Sequence, residues 1–275
     1  MRLLVSVRSA VEVGEALAGG ADIIDAKEPA RGGLGAVEPD VLCAIADRVP
    51  ASVPLSVALG DFTDRAHVLE QVARLPVGRP GNTDFLKLGF AGLSDESRLA
   101  GLIGAAAGTA ARAGSVPSII AVGYADWSRA RAPTPEGVIR AAIDGGAAGV
   151  LLDTSGKDGR ALLDWMSAAA VGRWIAEARR AGLLAAVAGS LGHAAIPALG
   201  RLQPDIVGVR GAACIGGRLG TVSAQRVRSL RQAIDSISPR QSRVPAKRES
   251  HAALPPSESI ESATRLPNQP ILPKA

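Results

Sequence analysis

Eight short aliphatic or β-branched runs, separated by stretches of helical periodicity, constrain the fold of this 275-residue chain more than any other feature. The runs are Leu3–Val7, Ile23–Lys27, Leu55–Leu59, Phe85–Leu88, Ile119–Val122, Gly149–Asp153, Leu184–Ala188 and Ile206–Val209. Helical patterns lie at Ala10–Ala18, Pro39–Arg48, Asp64–Arg74, Asp95–Ala113, Pro135–Asp144, Ser167–Ala181 and Ile196–Arg201, with a last helix from Ser223 to Ile234. Strands that alternate with helices need crossover connections, which are right-handed and build a parallel sheet. Eight such units in roughly 235 residues match a (β/α)8 TIM-type barrel, typically ~250 residues long. A doubly wound open sheet is the alternative, because periodicity alone does not show closure. Three helices end in similar phrases, AGGAD at 18–22, DGGAAG at 144–149 and RAGLLA at 180–185. A glycine there, followed by the next strand, is the expected helix-to-strand turn.

The composition changes near residue 237. Residues 237–275 hold seven of the 18 prolines among many Ser, Glu, Arg and Gln. They read as a disordered Pro/Ser-rich tail behind a catalytic barrel at 1–236. The tail has six Lys/Arg and three Asp/Glu, so it supplies +3 of the +5 net charge. A pI of about 9.7 therefore gives no argument for nucleic acid, and the body has no basic stripe with interleaved aromatics. The remaining positive bias suits an anionic, phosphorylated small substrate. No apolar run approaches the about 20 residues of a membrane span. The opening MRLLVSV enters a strand directly and lacks the pattern of a signal peptide. Cys43 and Cys214 match neither zinc nor disulfide spacing. A reduced, cytoplasmic location follows as an expectation. Homo-oligomer formation stays open.

Lysine usage is the strongest chemical signal. The chain has 26 Arg and only 5 Lys, and Lys247 and Lys274 fall in the tail. The other three, Lys27 in IIDAKEP, Lys87 in DFLKLGF and Lys157 in LLDTSGKDG, stand at or just beyond expected strand ends. Arginine is effectively never deprotonated, whereas a desolvated lysine beside another cation can lose its proton and form Schiff bases. Active sites of such barrels form at the C-terminal strand ends. Side chains alternate along a strand, so Asp25 and Lys27 share one face. Lys87 closes the fourth run, Asp153 closes the sixth, and Lys157 lies four residues further on. Three amines and two carboxylates at one mouth would depress a lysine pKa and supply proton relays.

Glycine-rich segments follow the last two runs. AVAGSLG places Gly189 and Ser190 at one turn, and GVRGAAC places Arg210, Gly211 and Ala212 at the other. Loops in those positions frequently hold phosphate through backbone N–H groups. Two further segments are weaker candidates: RGGLGA with Arg31, and GYADW with Tyr124 and Asp126. No His/Asp/Glu cluster points to a metal, and no GxGxxG fingerprint points to a dinucleotide. No cofactor is expected.

Taken in order, LLVSV, GGADIIDAKEPARGGLGA, PLSVALGD, DFLKLGF, AVGYADW, LLDTSGKDGRALLDWM, LAAVAGSL and PDIVGVRGAACIGG span residues 1 to about 217. Through these phrases the chain resembles the (5-formylfuran-3-yl)methyl phosphate synthases of methanofuran and methylofuran biosynthesis. The resemblance implies a TIM-type barrel that condenses two glyceraldehyde 3-phosphate molecules into a phosphorylated furan aldehyde. It implies Lys27 as Schiff-base nucleophile, Lys157 as acid/base partner and Lys87 as a modulator of amine pKa or a phosphate contact. Asp25 and Asp153 would orient the lysines and relay protons. Lys27 and Lys157 can exchange roles on this reading. The chain departs from some relatives in Ser155 and Gly156 and in its tail. Two other readings remain: a different class I aldolase acting on a sugar phosphate, and a non-catalytic barrel that binds phosphorylated ligands.

Overall fold

The computed structural model describes residues 1–75, 83–93, 95–112 and 117–237. The strands are β1 (Arg2–Val7), β2 (Ile23–Ala26), β3 (Leu55–Asp61), β4 (Phe85–Gly89), β5 (Ser118–Tyr124), β6 (Gly149–Asp153), β7 (Leu184–Val187) and β8 (Ile206–Val209). Each pairs in parallel with the next, and β8 pairs back onto β1, so the sheet is a closed barrel. The open-sheet alternative is thereby excluded. The helices are α1 (Ala10–Ala18), α2 (Pro39–Arg48), α3 (Arg65–Ala73), α4 (Leu99–Arg112), α5 (Trp127–Ala130), α6 (Pro135–Asp144), α7 (Leu162–Trp165), α8 (Ala168–Arg180), α9 (Ile196–Leu202) and α10 (Ala224–Ile237). None of the described helices is long and apolar enough to cross a membrane.

Local chemistry sets the helix ends. The Asp64 carboxylate accepts from the His67 N–H, Thr134 Oγ1 from the Gly137 N–H and Ser167 Oγ from the Ala170 N–H. Each satisfies an amide that the first helical turn leaves unpaired. Pro39 and Pro135 occupy first-turn positions, where their missing N–H costs nothing. Gly20, Gly146 and Gly182, in the three recurring phrases, have φ of +93°, +71° and +75°. Those are left-handed conformations that a side chain would strain.

The apolar residues divide into two cores. Outward-facing strand residues such as Val5, Ile24, Leu86 and Val150 pack beneath the helices. A separate cluster fills the barrel, including Ile23, Ile120, Val122, Leu151 and Ile206. Interior filling is uneven. Toward β3 and β5 the interior holds Tyr124, whose hydroxyl donates to Asp61 at 2.6 Å. Toward β7, β8 and β1 it holds Ala186, Ala188, Gly208 and Ser6, and there a cavity of ≈ 260 Å³ remains open.

Two kinds of element were invisible as periodic patterns. The one-turn helices α5 and α7 are too short to show a period. An antiparallel hairpin, β9 (Cys214–Ile215) and β10 (Thr221–Val222), follows β8, with strands of two residues each. Ala113, expected to end a helix, lies outside the described residues, as does the expected disordered tail beyond Ile237.

Candidate active site

The cavity opens at the C-terminal strand ends and brings all three body lysines together with Asp25 and Asp153. Strand alternation does this. Asp25 faces Ser6 across the β1–β2 register, and the Ser6 hydroxyl donates to Asp25 Oδ2 at 2.7 Å. Lys87 Nζ on β4 lies 2.6 Å from Asp25 Oδ1. Asp153 closes β6 and accepts from Lys157 Nζ at 3.0 Å. The same ammonium donates to the Thr154 carbonyl at 2.6 Å. Two Lys–Asp pairs therefore stand in the mouth. Lys27, just past β2, is buried, and its amine has no hydrogen-bond or ion-pair partner among the described residues.

Electrostatics separates the third amine from the other two. Burial and the neighbouring Lys87 and Lys157 ammonium groups outweigh the attraction of Asp153 and Asp25. Together they bring the Lys27 pKa from 10.5 down to about 8. Burial opposes ionisation of Asp153, yet Lys157 and Lys27 beside it, with the Thr154 N–H bond, hold its carboxyl below the usual range. The site thus offers an amine that can be neutral near physiological pH next to a carboxylate that stays ionised.

The two glycine-rich loops also line the cavity. Gly189 and Ser190 are left-handed in succession, with φ of +96° and +52°. Positive φ in a residue other than glycine is costly, and such outliers concentrate at functional sites. The backbone N–H groups of Ser190, Gly211 and Ala212 have no partner among the described residues. Arg210, expected to bind phosphate, is occupied elsewhere. Its guanidinium is buried, bonds both oxygens of Glu12 at 2.5 and 3.1 Å, and donates to the carbonyls of Ser6, Arg218 and Gly220. Only the backbone of that turn is free to meet a phosphate. Arg218, which no sequence pattern singled out, does line the cavity. It sits in a 3₁₀ turn inside the β9–β10 hairpin, a place without periodicity to read.

The two weaker candidates lie outside the cavity lining. Arg31 points outward and pairs with Glu38 at 2.6 Å. Its loop nevertheless matters: Leu34 plugs into the barrel interior, and Gly33 runs over the β6 loop. A Cβ on Gly33 would sit 3.3 Å from the Thr154 carbonyl and 3.5 Å from Lys157 Cε. Asp126 is buried and accepts from the N–H groups of Ser155 and Gly156 at 2.7 and 2.8 Å. It clamps the turn that carries Lys157 and reaches no cavity atom. Tyr124 is held by Asp61 and serves as interior wall.

Comparison with known proteins gives the family. The model of the 4-HFC-P synthase family matches residues 3–231. A (5-formylfuran-3-yl)methyl phosphate synthase of Methanothermobacter thermautotrophicus is 34% identical over 239 residues, covering 86% of this chain and 100% of that protein. Proteins of the same name from Methanocaldococcus jannaschii and Methanopyrus kandleri are 36% and 37% identical over 235 residues. They cover 84% and 85% of this chain and 99% and 98% of their own lengths. Among solved structures, 3-hexulose-6-phosphate synthase from Salmonella typhimurium aligns with a TM-score of 0.56 at 16% identity, over 86% of this chain and all of that one. Phosphoribosyl anthranilate isomerase from Thermus thermophilus aligns at 0.57 and 15%, over 86% and 100%. Structural likeness at such identity speaks for the barrel alone. The sequence matches go further, and on them this chain belongs to the 4-HFC-P synthase family, the family of its (5-formylfuran-3-yl)methyl phosphate synthase relatives.

Proposed function

We propose that the chain is a lyase-type synthase that condenses two molecules of glyceraldehyde 3-phosphate into (5-formylfuran-3-yl)methyl phosphate. One phosphate and two waters leave. The observation that carries this reading is Lys27: a buried amine, unpaired, with its pKa lowered to about 8, between two Lys–Asp pairs. In its neutral form it attacks a triose phosphate carbonyl, and loss of water gives the iminium. The iminium acidifies the adjacent carbon, a neighbouring base removes that proton, and the resulting enamine forms a C–C bond to the second aldehyde. Phosphate elimination, ring closure and dehydration complete the furan. The Lys157–Asp153 pair, in contact at 3.0 Å, moves protons in these steps. The Lys87–Asp25 pair holds a fixed positive charge near Lys27. The unpaired amides of the β7 and β8 loops suit a substrate phosphate. The product is the furan unit that methylofuran-type one-carbon cofactors require. A phosphorylated triose does not cross membranes unaided, so the activity is assigned to the cytoplasm.

Borohydride reduction in the presence of glyceraldehyde 3-phosphate, followed by peptide mass spectrometry, tests the reading. A stable adduct on Lys27, with Lys27→Arg folded but inactive, is the expected result. An adduct on Lys157 would exchange the two roles. An active Lys27→Arg enzyme would overturn Schiff-base catalysis at this position.

A further inference from the structure

Arg218 is a half-buried arginine at the rim of the cavity with no carboxylate within ion-pair distance among the described residues. Its Nη2 donates to the Gly32 carbonyl at 2.5 Å, which ties the β9–β10 hairpin to the 31–36 loop. Nε and Nη1 have no partner among the described residues. The hairpin beneath it is fixed, because Arg210 donates to the carbonyls of Arg218 and Gly220 while held by Glu12. Ser190, Gly211 and Ala212 line the same cavity with their amides unpaired.

We propose that Arg218 is the side-chain ligand of a substrate phosphate monoester, with its fork aimed by the bond to Gly32 and completed by the amides of the β7 and β8 loops. The inference rests on the reading that the cavity takes a triose phosphate. A tetrahedral dianion presents three terminal oxygens and can meet donors from several directions. A planar carboxylate matches two parallel donors from one side. Burial destabilises the Arg218 cation, and Asp153 and Glu28 offset this only from a distance, so a bound dianion supplies the missing counter-charge.

The test uses the full chain with Arg218→Met and Arg218→Lys. Arg218→Met should raise the KM for glyceraldehyde 3-phosphate, and the constant for competition by inorganic phosphate, roughly tenfold to a hundredfold. Reductive trapping of unphosphorylated glyceraldehyde at Lys27 should stay at the wild-type level. Arg218→Lys, which keeps the charge but loses the fork, should fall between the two, and it carries the comparison if the Met variant melts early. A KM and a phosphate constant within twofold of wild type in both variants would overturn the assignment. If the wild-type protein traps neither aldehyde, Schiff-base catalysis fails, and calorimetric binding of inorganic phosphate to wild type and variants still decides the role of Arg218.

Discussion

At the barrel mouth three ammonium groups face two carboxylates, and both carboxylates already have a lysine of their own. Lys27 is the surplus charge. Holding it protonated inside the barrel opposes folding, and its lowered pKa gives the size of that cost: about 3 kcal/mol for the shift from 10.5 to about 8. Below pH 8 the lysine is protonated in both folded and unfolded chains, so the cost is fully present. Between about 8 and 10.5 the unfolded chain binds more protons, so stability rises with pH and the cost is lifted. Lys27→Met should therefore be inactive yet more stable than wild type at pH 7, with Tm higher by roughly 6–12 °C. Thermal scans of both proteins should show the gap closing as pH approaches 10.5. A Lys27→Met protein that melts below wild type at pH 7 would contradict the account. This trade of stability for a reactive group was partly legible in the sequence. Strand alternation put Asp25 and Lys27 on one face and brought Lys87 and Asp153 to strand ends. Which lysine lacked a partner was not legible, because the Lys87–Asp25 pair joins different strands, β4 and β2. The fate of Arg210 was hidden for the same reason, since its carboxylate partner, Glu12, lies 198 residues away.

The loops that build the candidate site are held by side chains from neighbouring loops. Lys157 sits on the β6–α7 connection, and the geometry of that turn is set by Asp126, which belongs to the connection after β5. Gly33, from the connection after β2, covers the same turn. Asp126→Ala releases two amides and loosens the lysine without touching substrate. Its kcat should fall roughly tenfold or more, as misplacement of a catalytic group does, while the KM for glyceraldehyde 3-phosphate moves little. Equal losses in kcat and KM would show that Asp126 contacts substrate after all. Asp126 stood out in the sequence as a weaker candidate, and the structure shows it bracing the turn that carries Lys157. Short polar residues after strands look alike in sequence whether they face the ligand or brace the backbone. The β9–β10 hairpin was missed altogether, and Arg218 with it, because two-residue strands have no period to detect.

Across the whole barrel, regular alternation made the architecture readable. All eight strands start within one residue and end within two of the apolar run that suggested them, because a buried parallel strand is a short aliphatic run flanked by turn residues. The differences fall at strand ends, where β3 and β5 extend into polar or aromatic residues that the interior accommodates. The last helix also runs further than its pattern, to Ile237, which packs over Gly200 of α9. A cut that spares the barrel therefore falls beyond residue 240, where the first compact unit ends. Deleting residues 241–275 should leave kcat, KM and Tm within error of the full chain; a clear loss in any of them would give that segment a role in the barrel. The placement of the lysines has one more consequence. Apart from the chain's own α-amine, every primary amine on the described barrel lies inside its mouth, and the helical exterior carries none. Acetyl and ubiquitin marks on side chains both need an ε-amine. On the described barrel the exterior offers them no foothold, so any such mark there would fall on the lysines of the candidate site.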